Sequence, residues 1–373
     1  MTATTQQTPP PTHPLAASSG SRLWSRLEES LLPAIVALLI AVLVGDLLIL
    51  SFGQSPGAIY HLLIDGTWGN AYGFGQVLYK TTTLTFTGLA VSLGLRAGLF
   101  NIGAESQLAA GGFCAALIGL ILPPGLPSLL VLPIFMVAAA GGGAVVGGIP
   151  GVLKAKFGAH EVITTIMLNF VVLALLNYFV ATHLKVPGSL HTKEITAGTI
   201  PRLETVYAGF HGSAANYVLV LALATAVTAW WYLFKTRRGF ELRAVGLQPG
   251  AAEYGGVVVG GVWLRAMIAS GAIAGLGGLN FVLGYKHFYD EGFAGGAGYL
   301  GIAVAIVGRT NPIGVVLAAL LFATISQGGL AVNAIVPKEF VDVLQAVVII
   351  AVAASVPEVR RILSMRRPTA SRQ

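Results

Sequence analysis

The sequence predicts an all-α polytopic membrane protein with about ten transmembrane helices. Three observations carry that expectation. Apolar residues make up 55% of the 373, and charged residues only 10%, where a water-soluble domain carries about 25% charge. Mean hydropathy is +0.78. Runs of about 20 apolar residues, the length a helix needs to cross hydrocarbon, recur along the chain. A surface this poor in charge cannot face water over most of its area, so lipid is the solvent it fits.

The elements follow in order. Residues 1–30, rich in Thr, Pro and Ser, read as a disordered cytoplasmic segment without a cleavable signal. The expected spans are 31–52, 81–97, 100–122, 128–152, 161–183, 215–235, 257–284, 296–308, 312–334 and 340–357. The stretch Thr81–Leu122 is nearly continuous, interrupted only by Arg96 and the polar cluster Asn101–Gln107. Residues 296–308 are short and glycine-rich. Both places suit either full or broken helices. Residues 31–357 then form one transmembrane domain, with 358–373 as a basic cytoplasmic tail. The spans divide into two sets of five, 31–183 and 215–357. An odd number per set makes any repeat an inverted one, as is common in transporters.

Basic residues orient the spans. Arg22, Arg26, Lys154, Lys156, Lys235, Arg237, Arg238, Arg243, Arg309, Arg360, Arg361, Arg366 and Arg367 all fall on one side when ten spans are threaded from a cytoplasmic N-terminus. Both termini are then cytoplasmic. The long connection 184–214 falls outside, with Lys185, Lys193 and Arg202 as exceptions. The pI near 9.6 reflects these segment-end charges, so no nucleic-acid partner is expected.

Several chemistries are excluded. No glycine-rich loop ending in Gly-Lys-Ser/Thr is present, so the chain is not expected to hydrolyse nucleotide. No His/Cys/Asp/Glu group has metal-ligand spacing, and no nucleophile–base pair can be argued. The single cysteine, Cys114, lies in an apolar run and permits no disulfide framework. The expectation is a protein that is no enzyme and binds no cofactor. Glycines at Gly141–Gly143, Gly147, Gly148 and Gly151, and at Gly271, Gly275 and Gly278, predict close helix packing.

Polar residues inside spans are the candidates for a solute pathway, because burying them in lipid is costly. They are Asn101, Glu105, Gln107, Asn169, Asn177 and Asn280. Interhelical hydrogen bonding is the other role open to the asparagines. Glu105 either lines the pathway or pairs with Arg96. Few charges and several amides suit a neutral, hydrogen-bonding solute. The loop 235–256 is more apolar than a bare loop needs, at Val245, Leu247, Ala251 and Ala252. Pro249 can open a short helix through Tyr254, ended by Gly255. Such a helix predicts docking onto another protein.

Four blocks of the chain resemble a known family. GLRAGLFNIGAESQL at 94–108 is similar to the GLFNIGAEGQ block of permease subunits from bacterial ABC importers of the simple-sugar and branched-chain amino-acid class. EVITTIMLNFVVLALLNYFV at 161–180, ELRAVGLQPGAAEYGGV at 241–257 and GIAVAIVGRTNPIGVVLAALLFATISQGG at 301–329 resemble further blocks, in family order. The match is nearest to the nucleoside-uptake subgroup, whose receptor is a lipoprotein of the basic-membrane-protein type. One departure is Ser106, where the family has glycine.

The resemblance implies a transmembrane subunit passing a nucleoside or simple sugar across the inner membrane. It implies ATPase subunits that carry ATP and Mg and couple through 241–256, with Arg243, Gly246, Pro249, Ala251, Ala252 and Tyr254 as coupling residues. It implies a second permease subunit, identical or sister, and an external substrate-binding lipoprotein. The alternative is a gradient-driven secondary transporter using Glu105 as its ion or proton site. A structural membrane protein would explain the packing glycines but not the coupling loop.

Overall fold

The computed structural model describes residues 39–351 except 41, 124, 125, 334, 338 and 340. The expected N-terminal segment 1–30 and basic tail 358–373 lie outside the described residues. Fourteen α-helices follow one another among the described residues. They are α1 (Val42–Ser51), α2 (Pro56–Asp65), α3 (Ala71–Arg96), α4 (Ala104–Ile121), α5 (Ser128–Phe157), α6 (Glu161–Phe179) and α7 (Val218–Lys235). They continue with α8 (Arg237–Leu247), α9 (Pro249–Tyr254), α10 (Val259–Leu276), α11 (Gly278–Val282), α12 (Ala297–Val307), α13 (Pro312–Val332) and α14 (Val341–Ala351). The described residues form no strand. Isolated bridges Lys185–Thr192, His191–Asp290 and Arg202–Asn216 tie the connection 184–214 to its neighbours.

The protein is all-helical, as expected, but the count of ten spans is not reached among the described residues. Six described helices are long and apolar enough to cross a membrane, or seven if α1 and α2, bent by 112°, form one span. The other expected spans take bent, polar or short forms. The span at 81–97 is part of the 26-residue α3, whose threonines at 81, 82, 83, 85 and 87 lower its hydropathy. Most of α3 is buried among other helices, so it need not be apolar all round to suit lipid. The span at 296–308 contributes a helix of only 11 residues, α12, and of the span at 340–357 the described residues include α14, Val341–Ala351. The span at 257–284 is met by Val259–Val282, one of the six, with a local break at Gly277 between α10 and α11.

Local sequence explains several boundaries. The side chain of Asn70 caps α3, accepting the Gly73 N–H at 2.6 Å. Asn311 caps α13 in the same way, accepting the Ile313 N–H at 3.1 Å, and Pro312 follows at the first helical position. Gly158 ends α5 in the left-handed conformation, φ 66°.

The densest packing joins α5 to α10, and the small residues anticipated there make it possible. A Cβ on Gly271 would lie 2.2 Å from the Gly143 carbonyl oxygen, and one on Gly143 would lie 2.1 Å from that of Gly271. Only glycine admits so close an approach of two backbones, which is how helices gain dispersion contact where lipid offers no hydrophobic drive.

Candidate functional site

The break between α3 and α4 organises the centre of the protein. Residues 97–103 leave the helix, and their polar side chains replace the lost backbone partners. Asn101 and Gln107 form a reciprocal amide pair: Asn101 Nδ2 donates to Gln107 Oε1 at 2.9 Å, and Gln107 Nε2 donates to Asn101 Oδ1 at 3.1 Å. Asn101 Nδ2 also reaches Ser270 Oγ on α10 at 2.8 Å, and Ser270 donates to the Ala90 carbonyl on α3 at 2.6 Å. Asn169 on α6 donates to the Ile102 carbonyl at 2.9 Å and accepts the Ser106 N–H at 3.2 Å. These groups are buried, and each unpaired one would cost about 1–3 kcal/mol. Mutual hydrogen bonding removes that cost and joins α3, α4, α6 and α10.

Glu105 sits in the first turn of α4, 4% exposed. Its Oε1 accepts the Gly296 N–H and its Oε2 the Gly298 N–H, each at 2.7 Å. The carboxylate thus caps the N-terminus of the half-helix α12, where free N–H groups and the helix dipole favour negative charge. It forms no ion pair with Arg96. Arg96 Nε instead donates to the Thr310 carbonyl at 3.1 Å, and its guanidinium lies 5.5 Å from the Phe234 ring centre, with that of Arg243 at 5.2 Å. The Arg96–Glu105 alternative fails because α3 runs on to Arg96 and sets that side chain beside Phe234 of α7 and Thr310, past the C-terminal end of α12, whereas Glu105 caps the N-terminal end.

The remaining expected residues separate. Asn280 on α11 donates to Thr83 Oγ1 at 2.8 Å and to the Tyr79 carbonyl at 3.0 Å, and accepts from Asn216 at 2.9 Å. Asn177 is half-buried on α6 and neither joins this network nor lines the cavity beside α12.

That cavity has a volume of about 610 Å³. Its aromatic walls are Tyr79, Phe281, Phe293 and Tyr299, and its polar groups Lys80, Thr83, Ser326, Asp342 and Gln345. Gly295, Gly296 and Ala297 border it, so Glu105 holds one wall from behind. The Tyr79 hydroxyl is buried without a partner among the described residues. The Tyr79 ring lies 5.2 Å from that of Tyr285, whose carbonyl accepts from Arg202 at 3.2 Å. Through Tyr285 the wall that carries Tyr79 is linked to Arg202 of the connection 184–214. Sequence reasoning missed Lys80 because it precedes the expected span 81–97 by one residue. Asp342 and Gln345 were visible as polar residues inside 340–357, and that signal could have found them.

At the opposite end, α8 and α9 replace the loop 235–256. Arg237 and Arg265 flank Glu241 at 3.1 and 3.7 Å, tying α8 to α10. A Cβ on Gly246 would lie 2.1 Å from the Arg96 carbonyl oxygen, so α8 lies directly on the end of α3. Ala252 is buried with Leu242, Val245 and Val262. Pro249, Ala251 and Tyr254 are exposed, and Tyr254 at 98% and Leu247 at 86% present apolar surface outward.

A bundle of lipid-length helices, interrupted by capped breaks around a mixed aromatic and polar cavity, defines a multi-pass membrane permease. The chain belongs to the family described as branched-chain amino acid transport system / permease component, which matches residues 73–353. It is accordingly a transport subunit and not an enzyme. It is 36% identical to the guanosine ABC transporter permease protein NupP of Bacillus subtilis, over 88% of this chain and 94% of the relative. It is 33% identical to the nucleoside ABC transporter permease protein NupB of Lactococcus lactis, over 88% and 92%. It is 32% identical to the glucose ABC transporter permease protein TsgB13 of Haloferax volcanii, over 85% of each. No solved structure matches this chain.

Proposed function

We propose that this chain is the transmembrane subunit of an ABC importer that passes a neutral solute, a nucleoside or simple sugar, across the inner membrane. The observation that carries the solute class is the cavity. Flat aromatic walls beside hydroxyl, amide and charged groups suit a molecule with a ring face and a hydrogen-bonding edge. The names of the relatives support the same class, nucleosides in two and glucose in one.

The partners follow from the surfaces. ATPase subunits, carrying ATP and Mg, dock on α8 and α9 through Leu247, Ala251 and Tyr254. Buried Ala252, the close-packed Gly246 and stacked Arg243 transmit that contact to α3, α7 and α10. An external binding lipoprotein delivers solute to the connections 184–214 and 285–295. A second permease subunit, identical or sister, completes the pathway, and both termini are cytoplasmic. The pairing of 31–183 with 215–357 as inverted halves belongs to this proposal.

ATP binding by the partners biases the helices between inward-open and outward-open arrangements, and only a partner with different affinity for the two can do so. The pathway role of Asn101, Gln107 and Asn169 is indirect in this reading: they hold the break that supports α12. Glu105, engaged by two backbone donors, is better suited to capping than to carrying a proton, which favours the ABC reading over a gradient-driven carrier. The test is uptake of labelled guanosine, uridine and glucose into proteoliposomes holding the permease with its ATPase and receptor. Nucleoside or glucose uptake that requires ATP is the expected result. Uptake driven by a proton or sodium gradient without the ATPase would overturn the proposal.

A further inference from the structure

Two charged side chains, Lys80 and Asp342, line the cavity from different helices, and neither belongs to the polar network around Glu105. Lys80 comes from α3 and Asp342 from α14. No ion pair joins them or involves either of them among the described residues. The Lys80 ammonium has three donors, and Ser326 Oγ at 3.0 Å takes one. Two donors therefore remain for whatever occupies the cavity. The Asp342 carboxylate offers acceptors and no donor. Lys80 is half-buried within α3, and an ammonium kept there without a counter-charge is costly and marks a solute site, while Asp342 stands exposed at the start of α14 on the border of the same cavity.

We propose that Lys80 and Asp342 read the edge of a 6-oxo-2-aminopurine, the base of guanosine, while the aromatic walls hold its face. The inference rests on the nucleoside reading of the solute. That base presents an acceptor oxygen at position 6 and, next to it, N–H donors at positions 1 and 2. An ammonium supplies a donor to the oxygen, and a carboxylate accepts from the two N–H groups together. Adenine carries the reverse pattern, a 6-amino donor beside an acceptor N1, and would leave both charges facing groups of their own kind. Phe281 and Phe293, with ring centres 4.8 Å apart, and Tyr79 at 6.4 Å from Phe281 supply stacking surface that accepts any base. Specificity is then left to the two charges.

The test compares guanosine with adenosine uptake by the full complex of permease, ATPase and receptor in proteoliposomes. The same receptor is used throughout, so any change in ratio originates in the permease. Lys80→Gln provides an acceptor for the 6-amino group and keeps a donor for Ser326. Asp342→Asn provides a donor for adenine N1. Each variant should lower the guanosine-to-adenosine ratio by about tenfold, within the range one base-edge contact commands. If Lys80→Gln fails to assemble, Lys80→Met and Asp342→Asn carry the test. A ratio unchanged in the assembled variants, with a wild type that moves nucleosides, overturns this inference alone. A wild type that moves no nucleoside overturns the nucleoside reading and this inference with it.

Discussion

The carboxylate of Glu105 accepts the backbone N–H of Gly298 at 2.7 Å, and a Cβ on Gly298 would lie only 2.2 Å from the Glu105 nitrogen. The two residues lie far apart in sequence, yet they join the first turn of α4 to the first turn of α12. The same carboxylate takes the Gly296 N–H, so one side chain fills two donor positions at the start of a half-helix that has no capping side chain of its own.

Replacing Glu105 with Gln tests that cap. Glutamine offers one acceptor oxygen and turns an amine toward the second N–H, leaving a buried donor unpaired. The expected loss is about 1–3 kcal/mol, read as a lower unfolding temperature in detergent and slower uptake by an assembled complex. An unchanged unfolding temperature would contradict the capping role.

Glycine substitutions should divide by the space around them. Gly271→Ala places a methyl against the Gly143 carbonyl of α5 and should destabilise the protein by about 1–3 kcal/mol. Gly141→Ala, on the same helix as Gly143 but with nothing within 4 Å of the new carbon, should be neutral or slightly stabilising. Parallel melting curves check the pair, and equal losses in both would argue against close backbone packing as the cause.

The structure shows how the buried hydroxyl of Ser106 is accommodated. Its hydroxyl donates to the Gly103 carbonyl at 3.1 Å within a fully buried site. Ser106→Gly removes that bond and adds backbone freedom to a helix, so it should cost about 1 kcal/mol while leaving solute preference intact. A change in preference, measured as the ratio of guanosine to adenosine uptake, would assign the serine a pathway role instead.

The α9 surface separates folding from docking. Tyr254→Asp changes a side chain that is 98% exposed and should leave the unfolding temperature unchanged while reducing ATPase co-purification. Ala252→Asp buries a carboxylate among Leu242, Val245 and Val262 and should destabilise α8 and α9 themselves. Normal ATPase recovery with Tyr254→Asp would remove α9 from the docking surface.

Much of this was legible in the residue order. The apolar runs at 128–152, 161–183 and 312–334 become α5, α6 and α13 because their composition leaves a helix in lipid as the one favourable state. The short helix at Pro249–Tyr254 was legible from its proline and its closing glycine. Among the described residues six or seven helices have the length and composition of a span where ten were expected, and α3, long enough to cross, falls short in hydropathy through threonines that lie sheltered among other helices. The Arg96–Glu105 pair looked available at nine residues' separation. It was lost because α3 continues to Arg96 and a cap 191 residues further along claims the carboxylate.

Residue chemistry was enough to define the solvent, the helical class, the glycine seams and the polar residues that needed partners, since each follows from the cost of exposing a given side chain to lipid. Packing chose which partners those residues take. Hydrogen bonds act over about 3 Å, and residues from α4 and α12, or from α3 and α14, come within reach of one another or of one cavity only after the helices assemble. For that reason Glu105 was visible as an anomaly from the start, while its role as the cap of α12, and the placement of Lys80 and Asp342 on one cavity, emerged only from the fold.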